Sequence, residues 1–153
     1  MLSCDRGIDR RLRRFHRFMC YMEEEYNLLK KNRDDQTFAV IGAAMAVHRE
    51  LGPGFLESAY GDALEMEFEE RKIPYEREKL IHIFYKGKPI KTFYQADFVC
   101  YGDLIIEMKT VETITDVHRS QLIHYLKATK IKKGLLINFK NKSLQYERFA
   151  NDY

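Results

Sequence analysis

The spacing of the apolar residues changes abruptly at Ile73-Pro74, and that change limits what the chain can fold into. Before it, residues 35–51 (DQTFAVIGAAMAVHREL) put Phe38, Ile41, Met45 and either Val47 or His48 near helical spacing, with alanines between. Asp34 or Asp35 can cap the start. Gly52-Pro53-Gly54 stops this helix, because proline disfavours helix at the residue before it and glycine frees the backbone. A second helix is expected from Leu56 to Lys72, with Tyr60, Leu64 and Phe68 facing inward and Glu65, Glu67, Glu69 and Glu70 outward. After Pro74 the period becomes two. Glu78–Lys86 and Ile90–Cys100 read as strands joined by a Lys86-Gly87-Lys88-Pro89 turn, and Tyr101-Gly102-Asp103 signals a tight hairpin. Leu104–Thr110 is a third strand, apolar at its start and therefore central. Helical spacing returns over Asp116–Thr129, with Val117, Leu122, Tyr125 and Leu126 as its inner stripe. Gly134–Phe139 is a short, wholly apolar strand, and Leu144–Phe149 fits an added edge strand. The order α-α-β-β-β-α-β predicts an α/β fold with a mixed sheet of four or five strands and helices on its faces.

With 153 residues there is room for one ordinary domain. No stretch approaches the roughly 18 apolar residues that cross a bilayer. The N-terminal arginines have no apolar run behind them, as a secretory signal would. The expected location is the cytoplasm, with no membrane partner. Cys4, Cys20 and Cys100 form no CxxC pair, and their odd number does not suggest a disulfide framework.

The net charge of +3 is unevenly spread. Residues 1–33 carry nine Lys/Arg against five Asp/Glu, a net of +4, which leaves −1 for residues 34–153. The body is therefore no bulk polycation. Residues 1–33 read as a basic extension, either a disordered or weakly helical segment or an arm for nucleic acid, and Met19 and Met22 offer later starts. The functional domain is expected over 34–153. No acidic residue lies between Asp116 and Glu147, where Arg119, Lys127, Lys130, Lys132, Lys133, Lys140 and Lys142 stand. Two readings fit: a phosphate-facing edge, or a solvated face whose lysines protect an edge strand. His48, His118 and His124 fit solvent-facing helix positions.

The chemistry concentrates in Ala96-Asp97-Phe98 and Ile105-Ile106-Glu107-Met108-Lys109. Glu107 and Lys109 are two apart, so both project from one face of a strand and Met108 from the other. An odd connection centred on Gly102 would set Asp97 opposite Glu107, with Cβ atoms about 5 Å apart. An even one would split them across the sheet unless a bulge intervened. Two neighbouring carboxylates repel, and a divalent cation relieves the repulsion. Hard oxygen ligands with open positions suit Mg²⁺ or Mn²⁺. Lys109 can lower the pKa of a nearby water or contact a phosphate oxygen. Such a set suits phosphodiester hydrolysis. Surface strands also alternate Glu and Lys by chance, but here the pair leaves a buried-looking Leu104-Ile105-Ile106 run, where uncompensated charge is expensive.

These residues, with several others, resemble the GxxExxY family within the PD-(D/E)XK nuclease superfamily. Gly54-Phe55-Leu56-Glu57-Ser58-Ala59-Tyr60 carries the name-giving motif inside VHRELGPGFLESAY. Ala96-Asp97-Phe98 fills the aspartate motif, with alanine where the superfamily label has proline, and Glu107-Met108-Lys109 fills ExK. Ser120-Gln121-Leu122-Ile123-His124-Tyr125-Leu126 resembles the Gln-xxx-Tyr helix of RecB-like members, and Lys133–Phe139 the terminal strand. The likeness spans about residues 35–140.

The resemblance implies a restriction-endonuclease-like core and a Mg²⁺-dependent nuclease, with Mn²⁺ able to substitute, acting on DNA rather than RNA. Asp97 and Glu107 would bind the metal, assisted by Glu57 and the Met108 carbonyl, while Lys109 activates water. Gln121 would orient that water or, with Tyr125, hold the substrate backbone. Tyr60 belongs to site or core. Tyr60 and Tyr125, with Arg119, Lys127, Lys132 and Lys133, are the expected substrate contacts. The alternative is a non-catalytic nucleic-acid- or partner-binding module that keeps the fold. So small a domain is expected to dimerise or to use a partner.

Overall fold

The computed structural model describes residues 34–151. The expectations for residues 1–33 fall outside them. The chain forms α1 (Asp35–Leu51), α2 (Glu57–Glu70), β1 (Tyr75–Tyr85), β2 (Lys88–Cys100), β3 (Leu104–Lys109), α3 (Asp116–Thr129), β4 (Lys133–Asn138) and β5 (Gln145–Ala150). The strands make one sheet in the order β1-β2-β3-β4-β5. Only β3 and β4 are parallel, because α3 carries the chain back between them. The other neighbours are antiparallel. This is the mixed five-stranded α/β arrangement that the periodicities predict, in the predicted order.

β3 lies at the centre and its side chains alternate between two cores. Leu104, Ile106 and Met108 join Phe98, Cys100, Leu135 and Ile137 under α1 and α2. Ile105 packs on the opposite face with Val99 and Leu136, beneath Leu122, Tyr125 and Leu126 of α3. α3 sits close on β4: a Cβ added at Gly134 would come within 3.1 Å of Leu122 and Leu126 methyls. On the other face Arg77 ties β1 to α2, donating to Glu65 at 2.7 Å and to Asp62 at 2.6 Å.

Four local expectations are corrected. The inner stripe of α1 is Val40, Ala43, Ala44 and Val47, whereas Phe38 and Met45 are exposed. These small and branched residues join the core beside Tyr60, Leu64 and Phe68 of α2. Val117 is likewise exposed, at the outer start of α3. The β1–β2 turn is confined to Lys86 and Gly87, both at positive φ, and Lys88-Pro89 already pair in the strand opposite Tyr85 and Phe84. His48 is buried rather than solvent-facing. Its Nε2 donates to the Asn141 carbonyl at 2.9 Å, and its ring lies 6.3 Å from that of Phe139.

Among the described residues, no helix is long and apolar enough to cross a membrane.

A candidate metal centre where two strands part

The connection between β2 and β3 is Tyr101-Gly102-Asp103, an odd loop centred on Gly102. Tyr101 and Gly102 both take positive φ, and the Asp103 N–H closes the turn on the Cys100 carbonyl at 3.1 Å. The register Cys100↔Leu104, Val99↔Ile105, Phe98↔Ile106 carries Asp97 up to Glu107. The ladder stops one pair short of them. Beyond Phe98, β2 stays with β1 while β3 continues beside β4 as far as Lys109↔Asn138. The Met108 N–H therefore has no ladder partner on β2, and the Asp97 carboxylate takes it at 2.7 Å. Asp97 fills the gap between the parting strands and is held there by backbone.

Glu107 and Lys109 project from the α3 face of β3. The Lys109 ammonium donates to Glu107 Oε1 at 2.9 Å. Both side chains are sheltered, Glu107 at 4% and Lys109 at 14% exposed. The second oxygen, Glu107 Oε2, is buried and has no hydrogen-bond partner. Burial, then the nearby Asp97 charge, push the Glu107 carboxyl up to about 7, against the opposing pull of Lys109. Asp97 is also raised, first by burial, although the Met108 N–H and Lys109 favour its charged form.

Glu57 opens α2, where a carboxylate suits the positive end of the helix. Its position follows from the preceding loop. Gly54 sits at φ +108°, open to glycine but strained for other residues. The Tyr60 hydroxyl donates to the Gly52 carbonyl at 2.5 Å and accepts the Phe55 N–H at 3.3 Å. Glu57 then receives the Thr110 backbone N–H just past β3 and feels both Lys109 and Asp97, while partial burial raises its carboxyl. Among the described residues, no three His, Cys, Asp or Glu side chains gather closely enough to hold an ion by themselves. A cation here would rest on Asp97 and Glu107, with backbone, water or substrate oxygens completing its shell. Mg²⁺, which keeps several waters and uses one or two carboxylates, fits that donor set, and the orphaned Glu107 Oε2 is a ready ligand.

From α3, Gln121 Nε2 donates to the Tyr125 hydroxyl at 2.7 Å. Burial raises the Tyr125 phenol, with the Glu107 charge the next cause, so this pair borders the carboxylates.

The other expected substrate contacts do not converge there. Tyr60 is fully buried, stacked 4.6 Å from Phe139, with its hydroxyl engaged in the loop. Arg119 is committed to Glu147 at 2.8 and 2.9 Å and to Asp116 at 2.8 Å. Lys133 pairs with Leu104 in the ladder, at the far end of β3 from Lys109, and its ammonium meets Gln36 and Asp103. Lys132 precedes it at that end, so five residues of strand, about 17 Å, separate both from the carboxylates. A run of lysines in sequence is thus divided by topology.

One positioning residue escaped the sequence reading. Asn138 is fully buried beside Lys109. Its amide donates to the Val111 carbonyl at 2.7 Å and accepts the Val111 N–H at 3.1 Å, fixing the chain as it leaves β3. The signal was a lone amide ending the apolar run GLLINF.

The sequence pattern of the PD-(D/E)XK nuclease superfamily matches residues 34–149. A solved structure titled "Crystal structure of SSO0001" superposes with a TM-score of 0.51 at 22% identity, covering 63% of this chain and 50% of that one. The likeness concerns the fold, and the chain spans about half the length of that neighbour. No curated protein matches the sequence.

Proposed function

Because the chain belongs to the PD-(D/E)XK nuclease superfamily, we propose that it is a divalent-metal-dependent nuclease that hydrolyses phosphodiester bonds, in DNA by preference, at the site formed by Asp97, Glu107 and Lys109. One observation carries the proposal. A buried carboxylate oxygen, Glu107 Oε2, has no partner, beside a second carboxylate and one ammonium. A side chain placed for stability would have its lone pairs satisfied. The arrangement makes sense as half of an ion site.

When bound, a Mg²⁺ or Mn²⁺ ion supplies Lewis-acid polarisation of the phosphate and acidifies an attacking water. Asp97 and Glu107 hold that ion, and the Met108 carbonyl is the backbone oxygen available between them and Lys109. Asp97 is pre-set by its bond from the Met108 N–H, so it needs little reorganisation. Lys109 favours the ionised form of Glu107 against the burial that opposes it, and steadies the negative charge that grows on the phosphate oxygens. Glu57 stands at the outer edge, where it orients water. The Gln121–Tyr125 pair offers an amide and a hydroxyl to the substrate backbone. The finer GxxExxY assignment rests on the loop mechanics of Gly54, Glu57 and Tyr60.

The test is cleavage of supercoiled plasmid, linear single strands and RNA by purified protein in Mg²⁺, Mn²⁺ or EDTA, beside Glu107→Ala and Lys109→Ala. Metal-dependent cleavage that both variants lose is expected. Cleavage in EDTA, or wild-type rates in the variants, would overturn the mechanism. Binding without cleavage would point to a module that keeps the fold.

A further inference from the structure

We propose that the groove between α3 and the β1–β2 hairpin seats an unpaired nucleic-acid strand and leads it to the carboxylates. The proposal rests on the nuclease reading and names its substrate class: single strand rather than duplex.

The groove has two stretches that share Tyr94 and His124. The inner one also holds Ser120, Gln121 and Tyr125, and so adjoins the carboxylate site; Asp116 lines it too, paired with Arg119 at 2.8 Å. The outer one runs on to Ile83, Phe84, Lys127 and Lys130, with about 640 Å³ of space, ample for a ligand site. Aromatic side chains line it: Phe84 is 61% exposed on the outer stretch, and the partly buried Tyr94 lies 5.1 Å from the buried Tyr125 at a 40° tilt. The β1–β2 register slips between His82 and Phe84, and the neighbours Ile83 and Phe84 both come to line the groove.

Charge identifies the occupant. No carboxylate lines the outer stretch. Neither Lys127 nor Lys130 makes an ion pair among the described residues. Stacking rings beside unneutralised ammonium groups match a strand whose bases are splayed and whose phosphates run along the rim. A duplex hides its base faces inside its own stack and could use only the lysines. An apolar protein segment would leave those lysines unmatched.

The experiment measures fluorescence anisotropy of labelled oligothymidylate, oligouridylate and a DNA hairpin duplex in EDTA, where nothing is cleaved. Wild type is compared with Phe84→Ala and with Lys127→Ala/Lys130→Ala. Hydrolysis of bis(p-nitrophenyl) phosphate in Mn²⁺, a small diester that needs no groove, is followed in parallel. Single strands should bind at least about tenfold tighter than the duplex, and Phe84→Ala should lose about tenfold. The double variant should bind more weakly with a flatter salt dependence. Small-diester hydrolysis by Phe84→Ala should match that of wild type. The two oligonucleotides tell DNA from RNA as the source of the strand. Equal duplex affinity, or wild-type binding in both variants, would overturn the groove. A dimer on sedimentation that Phe84→Ala dissociates would assign the groove to a second copy and also overturn it. Strand binding without small-diester hydrolysis by wild type would support the groove while sinking the nuclease reading.

Discussion

Glu107 and Glu147 each face a cation, on β3 and β5, and their surroundings pull them in opposite directions. Glu147 meets Arg119 through both oxygens, at a partly exposed edge where water serves what the guanidinium does not. Its carboxyl is held below the usual value, first by the hydrogen bonds from Arg119. Glu107 meets only one ammonium, through one oxygen, inside the fold. Its carboxyl is driven up to about 7, first by burial. The first arrangement is a pair that closes on itself. The second is open by one ligand. The contrast separates an ion pair that holds structure from one that waits for a further charge, and it requires only that lone pairs be counted.

The largest effect that tests this contrast is catalytic. Glu107→Ala or Asp97→Ala should lower single-strand cleavage on the order of 100- to 1000-fold, while Glu147→Ala cleaves near the wild-type rate, each measured in initial-rate assays with circular dichroism to check folding. Similar losses at both glutamates would erase the distinction. Next comes stability. In EDTA near pH 8, Glu107→Gln removes a buried, half-satisfied charge and should stabilise the fold on the order of 1–3 kcal/mol, seen as a melting point raised by several degrees. Glu147→Gln should lower the melting point slightly.

A third prediction concerns pH. Between its ordinary 4.5 and about 7, Glu107 is protonated in the folded chain and ionised in the unfolded one. Its contribution to stability is therefore fully present below about 4.5 and is lost as pH rises through about 7. Glu147 behaves inversely: its contribution is present above 4.5 and is lost as pH falls through its lowered value. In EDTA, the melting-point gap between wild type and Glu107→Gln should open as pH rises from about 5 to about 8. Mg²⁺ should raise the wild-type melting point more near pH 8 than near pH 5.5, because at the lower pH it must displace a proton. The smallest effect is expected at Tyr60→Phe. Loss of the bond to Gly52 should cost about 1 kcal/mol in denaturant titration, with a modest fall in cleavage as Glu57 loosens.

Much of the fold was legible because its signals are local. Pro74 marks the change of period, and Tyr60, Leu64 and Phe68 give the buried face of α2. Asp97, Glu107 and Lys109 were legible as candidates, but their meeting depended on the parity of one loop, which the sequence left open. What stayed hidden is non-local. His48 is buried by a carbonyl 93 residues away. α1 buries Val40, Ala43, Ala44 and Val47, a face that periodicity alone cannot rank above Phe38 and Met45. Lys132 and Lys133 sit within a few residues of Lys127 in sequence, but the turn into β4 sends them to the wrong end of the sheet. The parting of β2 from β3 that gives Asp97 its place is a property of pairing partners and has no residue signature of its own.

Calorimetric titration of Mn²⁺ into the metal-free protein near pH 8 bears most directly on the claim that Asp97 and Glu107 share an ion. One site should appear in wild type and in Glu147→Gln, and vanish in Asp97→Asn and in Glu107→Gln. Equal binding in all four proteins, or none in wild type, would contradict it.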